Sequence, residues 1–446
     1  MAWLAMGGFV CLLVLSVVLG FPLIFALIGG YGLFFLYGLY RKYSPADLWG
    51  MSLKGLKTVG NILFLFILIG VITALWRACG TIPFLIYYAS GLISPAVFFL
   101  LAFLLCSLVS YLTGTSFGTA ATMGVICMSM ATAMGLNPIL SAGAILSGVF
   151  FGDRCSPMST SALLVAALTR TDLYRNLTLM MKTAAAPFVL TCGACLCFGL
   201  HADAGAFSPD ILEPFARGFH LYWLTILPAA VIVVLSLLKR SVKLTMALSI
   251  LAAGVLCVAL QGMPLPELGR TALLGYEPAL EELKPLLTGG GAVSMVKPLC
   301  IVSISSTYSG LFEGTGLLDG MKTAVSRLAK RITPFGSLLI VSVGTCVISC
   351  NQTLAIMLSH ALCRENQSSR DLAIGLEDTA VVLAPLVPWS IAGAVPLASI
   401  GAPTAALLGA CYLYLIPLWN LLVHLIRRSK QQEGDQGQGN GAEDGA

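Results

Sequence analysis

Charge is scarce in this chain of 446 residues: only 10% of the residues are Asp, Glu, Lys or Arg, whereas 58% are hydrophobic. The mean hydropathy of +0.92 excludes a soluble globular protein, because no soluble domain needs so much apolar surface. The apolar runs reach spanning length, and backbone groups in lipid must be paired within helices. Short alternating segments of a transmembrane barrel are missing. The composition therefore predicts an all-α polytopic membrane protein.

Other missing patterns exclude further classes. No basic residue precedes Arg41, so we expect no cleavable signal peptide. A Gly-x-x-x-x-Gly-Lys-Ser/Thr motif and a His-Glu-x-x-His motif are both absent, which argues against a primary pump and a metalloprotease. The 14 cysteines lie mainly in apolar stretches, where Cys packs as a small hydrophobe. The small net charge of +5 indicates no nucleic-acid partner. We expect no enzyme and no cofactor.

Charged segments divide the chain and predict its orientation. Basic residues follow the first two apolar stretches and recur after the last one, which places both termini in the cytoplasm by the positive-inside rule. The predicted divisions are 1–57, an N-terminal helical pair with a cytoplasmic loop; 58–201, a first repeat; 202–291, a linker with a helical pair and an external segment; 292–428, a second repeat; and 429–446, a disordered cytoplasmic tail.

Polar, Gly- and Pro-containing breaks interrupt the helical pattern at matching places in the two halves. The front breaks are 113–119 and 152–161, and the back breaks are 349–353, 377–378 and 384–390. The early loop of the back unit, 322–331, is basic, whereas its front equivalent has no charge, so the two units are predicted to run in opposite directions. Inverted-topology repeats with broken helices are a transporter architecture with the substrate site near the membrane midplane.

Five of the 20 carboxylates fall within or beside predicted spans. An ionisable group in the membrane is costly and marks an ion path or a proton relay. Asp153 and Asp378 are predicted to couple transport to protons. In an alternative interpretation, Asp153 forms a structural ion pair with the adjacent Arg154. In an alternative interpretation, the Glu377–Asp378 pair lies at a solvated helix mouth and takes no part in coupling. The remaining two, Glu313 and Asp319, are interpreted as residues of the solvated interface.

Neutral residues at the breaks offer hydroxyl and amide oxygens beside unwound carbonyls and half-helix ends, which suit Na⁺ or a carboxylate. In an alternative interpretation, Gly114 and Gly118 form a packing face of small residues against a neighbouring helix. Trp389 is either a packing anchor or a wall of the site. The predicted binding residues beside the carboxylates are Thr113, Gly114, Thr115, Ser116, Thr119, Ser156, Ser159, Thr160, Ser161, Ser349, Asn351, Gln352, Thr353, Trp389 and Ser390.

The segments 113–119, 152–159, 376–378 and 385–389 resemble the NhaC-type Na⁺/H⁺ antiporters. The resemblance covers roughly residues 50–426. It implies a plasma-membrane carrier, expected in a bacterium, of about 10–13 spans with re-entrant hairpins, a possible homodimer and elevator-type alternating access. It also implies exchange of Na⁺ for protons, and some relatives exchange organic acids such as malate and lactate.

The chain departs from the family pattern at two positions. Thr160 and Asn351 stand where the family has acidic residues, so two carboxylates that would bind a cation or a proton are neutral here. Asn351 can still coordinate Na⁺ through its oxygen, but it cannot carry a proton. The departures weaken the prediction of the transported ion and leave the predicted scaffold unchanged.

The leading hypothesis is therefore a Na⁺/H⁺ antiporter-like carrier in which both ions compete at Asp153 and Asp378, with Na⁺ held by Asp153, Asn351 and Asp378. The alternative is Na⁺- or H⁺-coupled transport or exchange of a small organic acid or amino acid, with Arg154 holding the substrate carboxylate. An intramembrane aspartyl protease is disfavoured because Phe-Phe-Gly precedes Asp153 where Gly-x-Gly would be needed.

Overall fold

The structure is a computed structural model that describes residues 2–19, 22–58, 60–90, 94–202, 209–238, 240–317, 333–349, 351–365 and 367–426. The predicted tail 429–446, the basic loop 322–331, Asp319 and the side chain of Glu313 lie outside the described residues. Over the described ranges the chain forms helices and no strand, with one isolated β-bridge between Tyr276 and Gly289. The all-α prediction is confirmed.

Twenty-two α-helices are defined in the described residues, several of them ending at short polar breaks. In chain order they are α1 (Ala2–Leu19), α2 (Leu23–Tyr40), α3 (Pro45–Thr58), α4 (Gly60–Ala78), α5 (Thr81–Ser90), α6 (Pro95–Thr113), α7 (Ser116–Ala133), α8 (Pro138–Cys155), α9 (Thr160–Thr169), α10 (Leu173–Leu200), α11 (Pro209–Gly218), α12 (Leu227–Leu237), α13 (Val242–Ala259), α14 (Leu265–Leu274), α15 (Lys284–Leu287), α16 (Val296–Thr315), α17 (Pro334–Ser349), α18 (Gln352–Cys363), α19 (Ser369–Asp378), α20 (Ala380–Leu383), α21 (Ile391–Ile400) and α22 (Cys411–Ile426).

Four of these helices, α6, α7, α10 and α13, are long and apolar enough to cross a membrane. Two further candidates are bent pairs: α4 with α5, bent by 58°, and α19–α20 with α21, bent by 54°. Six shorter apolar helices add to them. These features support a multi-pass membrane protein, whereas the predicted total of 10–13 spans stays a prediction.

The order of helices and breaks in the back half repeats that of the front half. In front, α6 and α7 flank one break and α8 and α9 flank a second, before the long helix α10. In the back, α17 and α18 flank one break and α20 and α21 flank another, before α22. The opposite insertion of the two units stays a prediction.

The breaks are shorter than predicted, because the polar residues extend into the helix ends. The first front break is only Gly114–Thr115, and the second is only 156–159. Asp153 and Arg154 are therefore in the last helical turn of α8 and not in an unwound segment, as the backbone N–H of Ser156 still donates to the carbonyl of Gly152 at 2.9 Å. Likewise Glu377 and Asp378 end α19, and the chain departs from helical geometry at Thr379.

Helix α8 lies at the centre of the front half, and every residue from Ser141 to Cys155 is buried. It packs closely on α6 through glycine: a Cβ at Gly148 would contact the carbonyl of Phe103 and lie 2.8 Å from the Cβ of Cys106. A Cβ at Gly152 would meet the backbone of Ser110. Small residues thus let two membrane helices approach backbone to backbone. This contact fixes the position of Asp153 relative to α6.

Candidate functional site

The two front breaks contact each other. Gly114 ends α6 in the left-handed conformation, with φ of 67°, which only glycine adopts readily. A Cβ at this position would lie 2.5 Å from the Cβ of Met158 in the second break. Gly114 is therefore required for both the turn and the close approach, and the two breaks form one assembly at the end of α8.

Asp153 connects this assembly to the back half. Its side chain is 4% exposed, and Oδ2 accepts a hydrogen bond of 3.2 Å from Nε2 of Gln352, the first residue of α18. Ser116, the first residue of α7, lies beside the same carboxylate. Two helix N-termini therefore face one buried carboxylate, and their partial positive charges stabilise its ionised form.

Several predicted binding residues support Asp153 through its backbone. Its carbonyl accepts from the hydroxyl of Ser159 and, at 2.9 Å, from the hydroxyl of Ser161. Ser159 also caps α9 by accepting from the N–H of Ala162 at 3.3 Å. The hydroxyl of Ser156 accepts from the N–H of Met158 at 3.1 Å. These hydroxyls satisfy the end of α8 and the start of α9, while Thr160 is exposed.

Arg154 makes a buried ion pair with Asp378, and not with Asp153 as the alternative prediction had it. The guanidinium is fully buried and contacts Asp378 through Nη2, which also donates to the hydroxyl of Thr183 at 2.7 Å. The other two nitrogens donate to the carbonyls of Glu377 at 3.1 Å and Met180 at 3.0 Å. All three nitrogens are occupied within the protein. The role of Arg154 in holding a substrate carboxylate stays a prediction, and it would require these contacts to be exchanged.

Glu377 is the third carboxylate of this cluster. It is 1% exposed and Asp378 is 2% exposed, so neither lies at a solvated helix mouth, and that alternative was wrong. Oε2 of Glu377 is buried and accepts no hydrogen bond from the described residues. Its charge interacts with Arg154, Asp153 and Asp378. Asp378 and Glu377 lie near the guanidinium and Asp153 lies near Glu377, so three ionised carboxylates would share one positive charge.

The back break uses its polar residues mainly for capping. Oδ1 of Asn351 accepts from the N–H of Thr353 at 2.9 Å, and the carbonyl of Asn351 accepts from the hydroxyl of Ser349 at 3.0 Å. Gln352 reaches Asp153 instead, and donates also to the carbonyl of Val381 at 2.9 Å. Thr353 is exposed. With Asn351 in a cap and Asp378 in an ion pair, the structure does not bring the predicted Na⁺ ligands Asp153, Asn351 and Asp378 into one empty site.

Trp389 and Ser390 form hydrogen bonds that fix the last break of the back half. Nε1 of Trp389 donates to the carbonyl of Val347 in α17 at 2.8 Å, and the side chain is buried. The hydroxyl of Ser390 caps α21 by accepting from the N–H of Ala392 at 3.3 Å. Of the two interpretations of Trp389, the structure favours the packing anchor.

A cavity of about 210 Å³, which we call the Thr115 cavity, opens beside the first front break. Oγ1 of Thr115 is buried beside it and has no hydrogen-bond partner among the described residues. Thr113 and Thr119 bond to each other through their hydroxyls at 3.2 Å, and Thr113 lines the cavity. The same helix α7 has a π-helical turn at Ala120–Gly124, a distortion frequent at functional sites.

The sequence did not indicate two features of this region. Thr183 lies in the long helix α10, yet its hydroxyl bonds to Asp378 at 3.1 Å as well as to Arg154. Four buried hydroxyls in the back half bond to one another: Ser342, Thr345, Ser359 and Thr379. A hydroxyl in an apolar helix commonly bonds its own preceding turn, so no local signal separates these residues from ordinary ones.

The chain is similar in sequence to known antiporters over most of its length. The model of the Na⁺/H⁺ antiporter family matches residues 1–167 and 148–418. The Na⁺/H⁺ antiporter NhaC of Alkalihalophilus pseudofirmus is 28% identical over 86% of each chain. The malate-2H⁺/Na⁺-lactate antiporter of Bacillus subtilis is 26% identical over 94% of this chain and 93% of its own. The arginine/ornithine antiporter ArcD of Halobacterium salinarum is 26% identical over 83% and 80%. The chain belongs to the Na⁺/H⁺ antiporter family.

Proposed function

We propose that this protein is a secondary carrier that exchanges Na⁺ for protons across the inner plasma membrane of a bacterium. The observation that carries the proposal is the position of Asp153: a buried carboxylate between the helix breaks of the two halves, bonded to Gln352. Na⁺ prefers oxygen ligands, and a carboxylate must be deprotonated to bind it. A proton and Na⁺ therefore compete for the same group.

Glu377 supplies the second titratable group in this proposal, in place of Asp378. Its Oε2 has no partner among the described residues, whereas Asp378 is held by Arg154 and Thr183. Protonating Asp378 would leave the Arg154 guanidinium without the counter-ion that it contacts. We therefore assign Asp378 to positioning: through Arg154 it fastens α8, α10 and α19 around Asp153.

Transport in this scheme proceeds by alternating access, with the cluster facing one side of the membrane at a time. Elevator-type movement, inverted repeats, a homodimer and cytoplasmic termini are part of the proposal. The repeated order of helices and breaks supports the repeats, and the basic segments support the cytoplasmic termini. The elevator-type movement and the homodimer are proposed from the family resemblance alone.

The deciding experiment is uptake of radiolabelled Na⁺ into proteoliposomes driven by an imposed pH gradient. We expect Asp153→Asn to abolish the gradient-dependent uptake, since an amide cannot exchange a proton. Asp371→Asn is the matched control: this carboxylate is exposed on α19 and only caps the helix with Ser368. Full uptake by Asp153→Asn, with Asp371→Asn equal to wild type, would remove Asp153 from the mechanism.

A second candidate is coupled exchange of a small organic acid or amino acid. Two relatives, each 26% identical to this chain, are named as antiporters: one of malate-2H⁺ and Na⁺-lactate, the other of arginine and ornithine. The neutral residues Thr160 and Asn351 also depart from the family pattern at acidic positions. Counterflow with a panel of carboxylates and amino acids separates the candidates: accelerated exchange of one solute supports this function, and exchange of Na⁺ alone contradicts it.

A further inference from the structure

A second cavity, which we call the Arg77 cavity, lies against the other end of α7 and has a volume of about 370 Å³. It touches α7 at Val125 to Thr132, beyond the π-helical turn from the Thr115 cavity. Ser116 and Ser129 are about 20 Å apart along the helix axis at 1.5 Å per residue. The Arg77 cavity is thus distinct from the Asp153 cluster, and a volume of this size lies within the range of small-molecule sites, about 300–1,000 Å³.

Arg77 is the one charged residue among the described residues that line this cavity. It lies in the last turn of α4, and it makes no hydrogen bond or ion pair to any described residue, while its Nε is buried. The glycine at 289 accommodates the guanidinium, since a Cβ there would lie 3.1 Å from Nη1 of Arg77. A guanidinium with a buried nitrogen and no partner among the described residues is costly and calls for an anionic partner.

The neighbouring acidic residues do not supply that partner. Glu277 and Glu281 both pair with Lys284, at 3.2 Å and 2.7 Å, and Glu282 pairs with Arg217 at 3.4 Å. The cavity lining adds neutral donors instead. The hydroxyl of Ser129 makes no hydrogen bond to the described residues, although the residue is only 9% exposed. The lining therefore combines one positive charge with a free hydroxyl and no negative charge.

We propose that the Arg77 cavity binds a small monocarboxylate anion. The planar guanidinium fork matches a carboxylate with two parallel N–H···O bonds, and a single cation balances a single negative charge. Ser129 donates a further hydrogen bond to the same carboxylate. The acidic segment 264–288 is predicted to be external, and its residues Leu286 and Thr288 line this cavity, so by the predicted orientation the cavity faces the outside. Binding here is independent of the Na⁺/H⁺ exchange assigned to Asp153.

The test is equilibrium dialysis of the purified full-length protein with radiolabelled lactate, at constant Na⁺ concentration. We expect saturable binding to wild type and binding at least tenfold weaker to Arg77→Gln. Arg77→Lys, which keeps the charge but loses the fork, is expected to be intermediate, and Ser129→Ala to be weakened severalfold. Arg217→Gln is the matched control, because this arginine is exposed and lies outside the cavity lining. Its lactate binding should equal that of wild type.

Competition by malate, inorganic phosphate and chloride identifies the anion class, and lactate is expected to compete best. The proposal is overturned by wild-type lactate binding that does not saturate, by phosphate or chloride outcompeting lactate, or by equal affinities of wild type and Arg77→Gln. If Arg77→Gln does not fold, Ser129→Ala and Arg77→Lys decide in its place. Na⁺ uptake in carboxylate-free proteoliposomes is measured in parallel, so loss of the exchange function is distinguished from loss of this site.

Discussion

At the residue scale, three buried carboxylates differ in role because their surroundings differ. Asp378 faces Arg154 and Thr183, whereas Asp153 faces an amide, a hydroxyl and two helix N-termini. Glu377 has a buried oxygen without a partner among the described residues. The sequence placed all three at polar breaks, but side-chain chemistry alone gave no reason to separate them. The position of one guanidinium separates them.

The ion pair predicts a stability effect at Asp378. Asp378→Asn leaves the Arg154 guanidinium buried and uncompensated, and breaking a buried pair in this way costs about 3–5 kcal/mol. We expect a lower apparent melting temperature of the purified protein and reduced expression. The double variant Arg154→Leu/Asp378→Leu removes both charges and should recover much of the loss. Equal melting of Asp378→Asn and wild type would contradict the pair's structural role.

A different result is expected at Glu377, which has no fixed counter-ion. Glu377→Gln keeps the shape of the side chain and removes one titratable group from the cluster. We expect wild-type melting behaviour and a less steep dependence of Na⁺ uptake on pH, because fewer protons are linked to transport. The measurement is initial uptake rate across a series of pH values. An unchanged profile would mean that Glu377 does not take part in proton coupling.

At the element scale, the close contact between α6 and α8 positions the site. The backbones approach through Gly148 and Gly152, so Asp153 is held at a depth set by helix packing. The breaks are short because the flanking hydroxyls cap the helix ends directly, as Ser159 and Asn351 do. Short breaks leave the carboxylates on helical turns, where their direction is fixed by the helix.

The packing contact predicts that Gly148→Ala is destabilising. The added methyl group would contact the carbonyl of Phe103 and the Cβ of Cys106, and overpacking of this kind costs about 1–3 kcal/mol. Gly193→Ala on α10 is the matched control, because nothing lies within 4 Å of its Cβ position. This change should be neutral or stabilising by about 0.5–1 kcal/mol, since Ala favours a helix interior. Equal apparent melting temperatures for the two variants would show that the contact is looser than described.

At the scale of the whole molecule, two cavities contact α7 on either side of its π-helical turn. The Thr115 cavity is bordered by Arg240 and Ser241. They belong to the basic turn 239–243, which the positive-inside rule predicts to be cytoplasmic. The Arg77 cavity is bordered by the segment predicted to be external. The two cavities therefore lie toward the two opposite faces that the charge pattern predicts for this chain.

This arrangement predicts accessibility from opposite sides of the membrane. Thr115→Cys should react with a membrane-impermeant thiol reagent from the cytoplasmic side, and Ser399→Cys, in the Arg77 cavity, from outside. Peptide mass spectrometry separates these sites from the exposed native thiols Cys11 and Cys197. Addition of Na⁺ should change the labelling of Thr115→Cys. Labelling of both positions from the same side would contradict the predicted orientation.

The helical membrane class, the existence of the breaks and the location of Asp153 beside a break could be predicted from the sequence, because hydropathy, Gly and Pro act locally along the chain. The sequence also supplied the list of residues at the breaks, of which Ser116, Gln352 and Ser159 contact Asp153. Three facts emerge only from the folded arrangement of the helices: Arg154 pairs with Asp378, 224 residues away; Oε2 of Glu377 has no hydrogen-bond partner among the described residues; and Arg77 faces a cavity. Those facts depend on which helix ends meet in space, and no periodicity within a single helix records that.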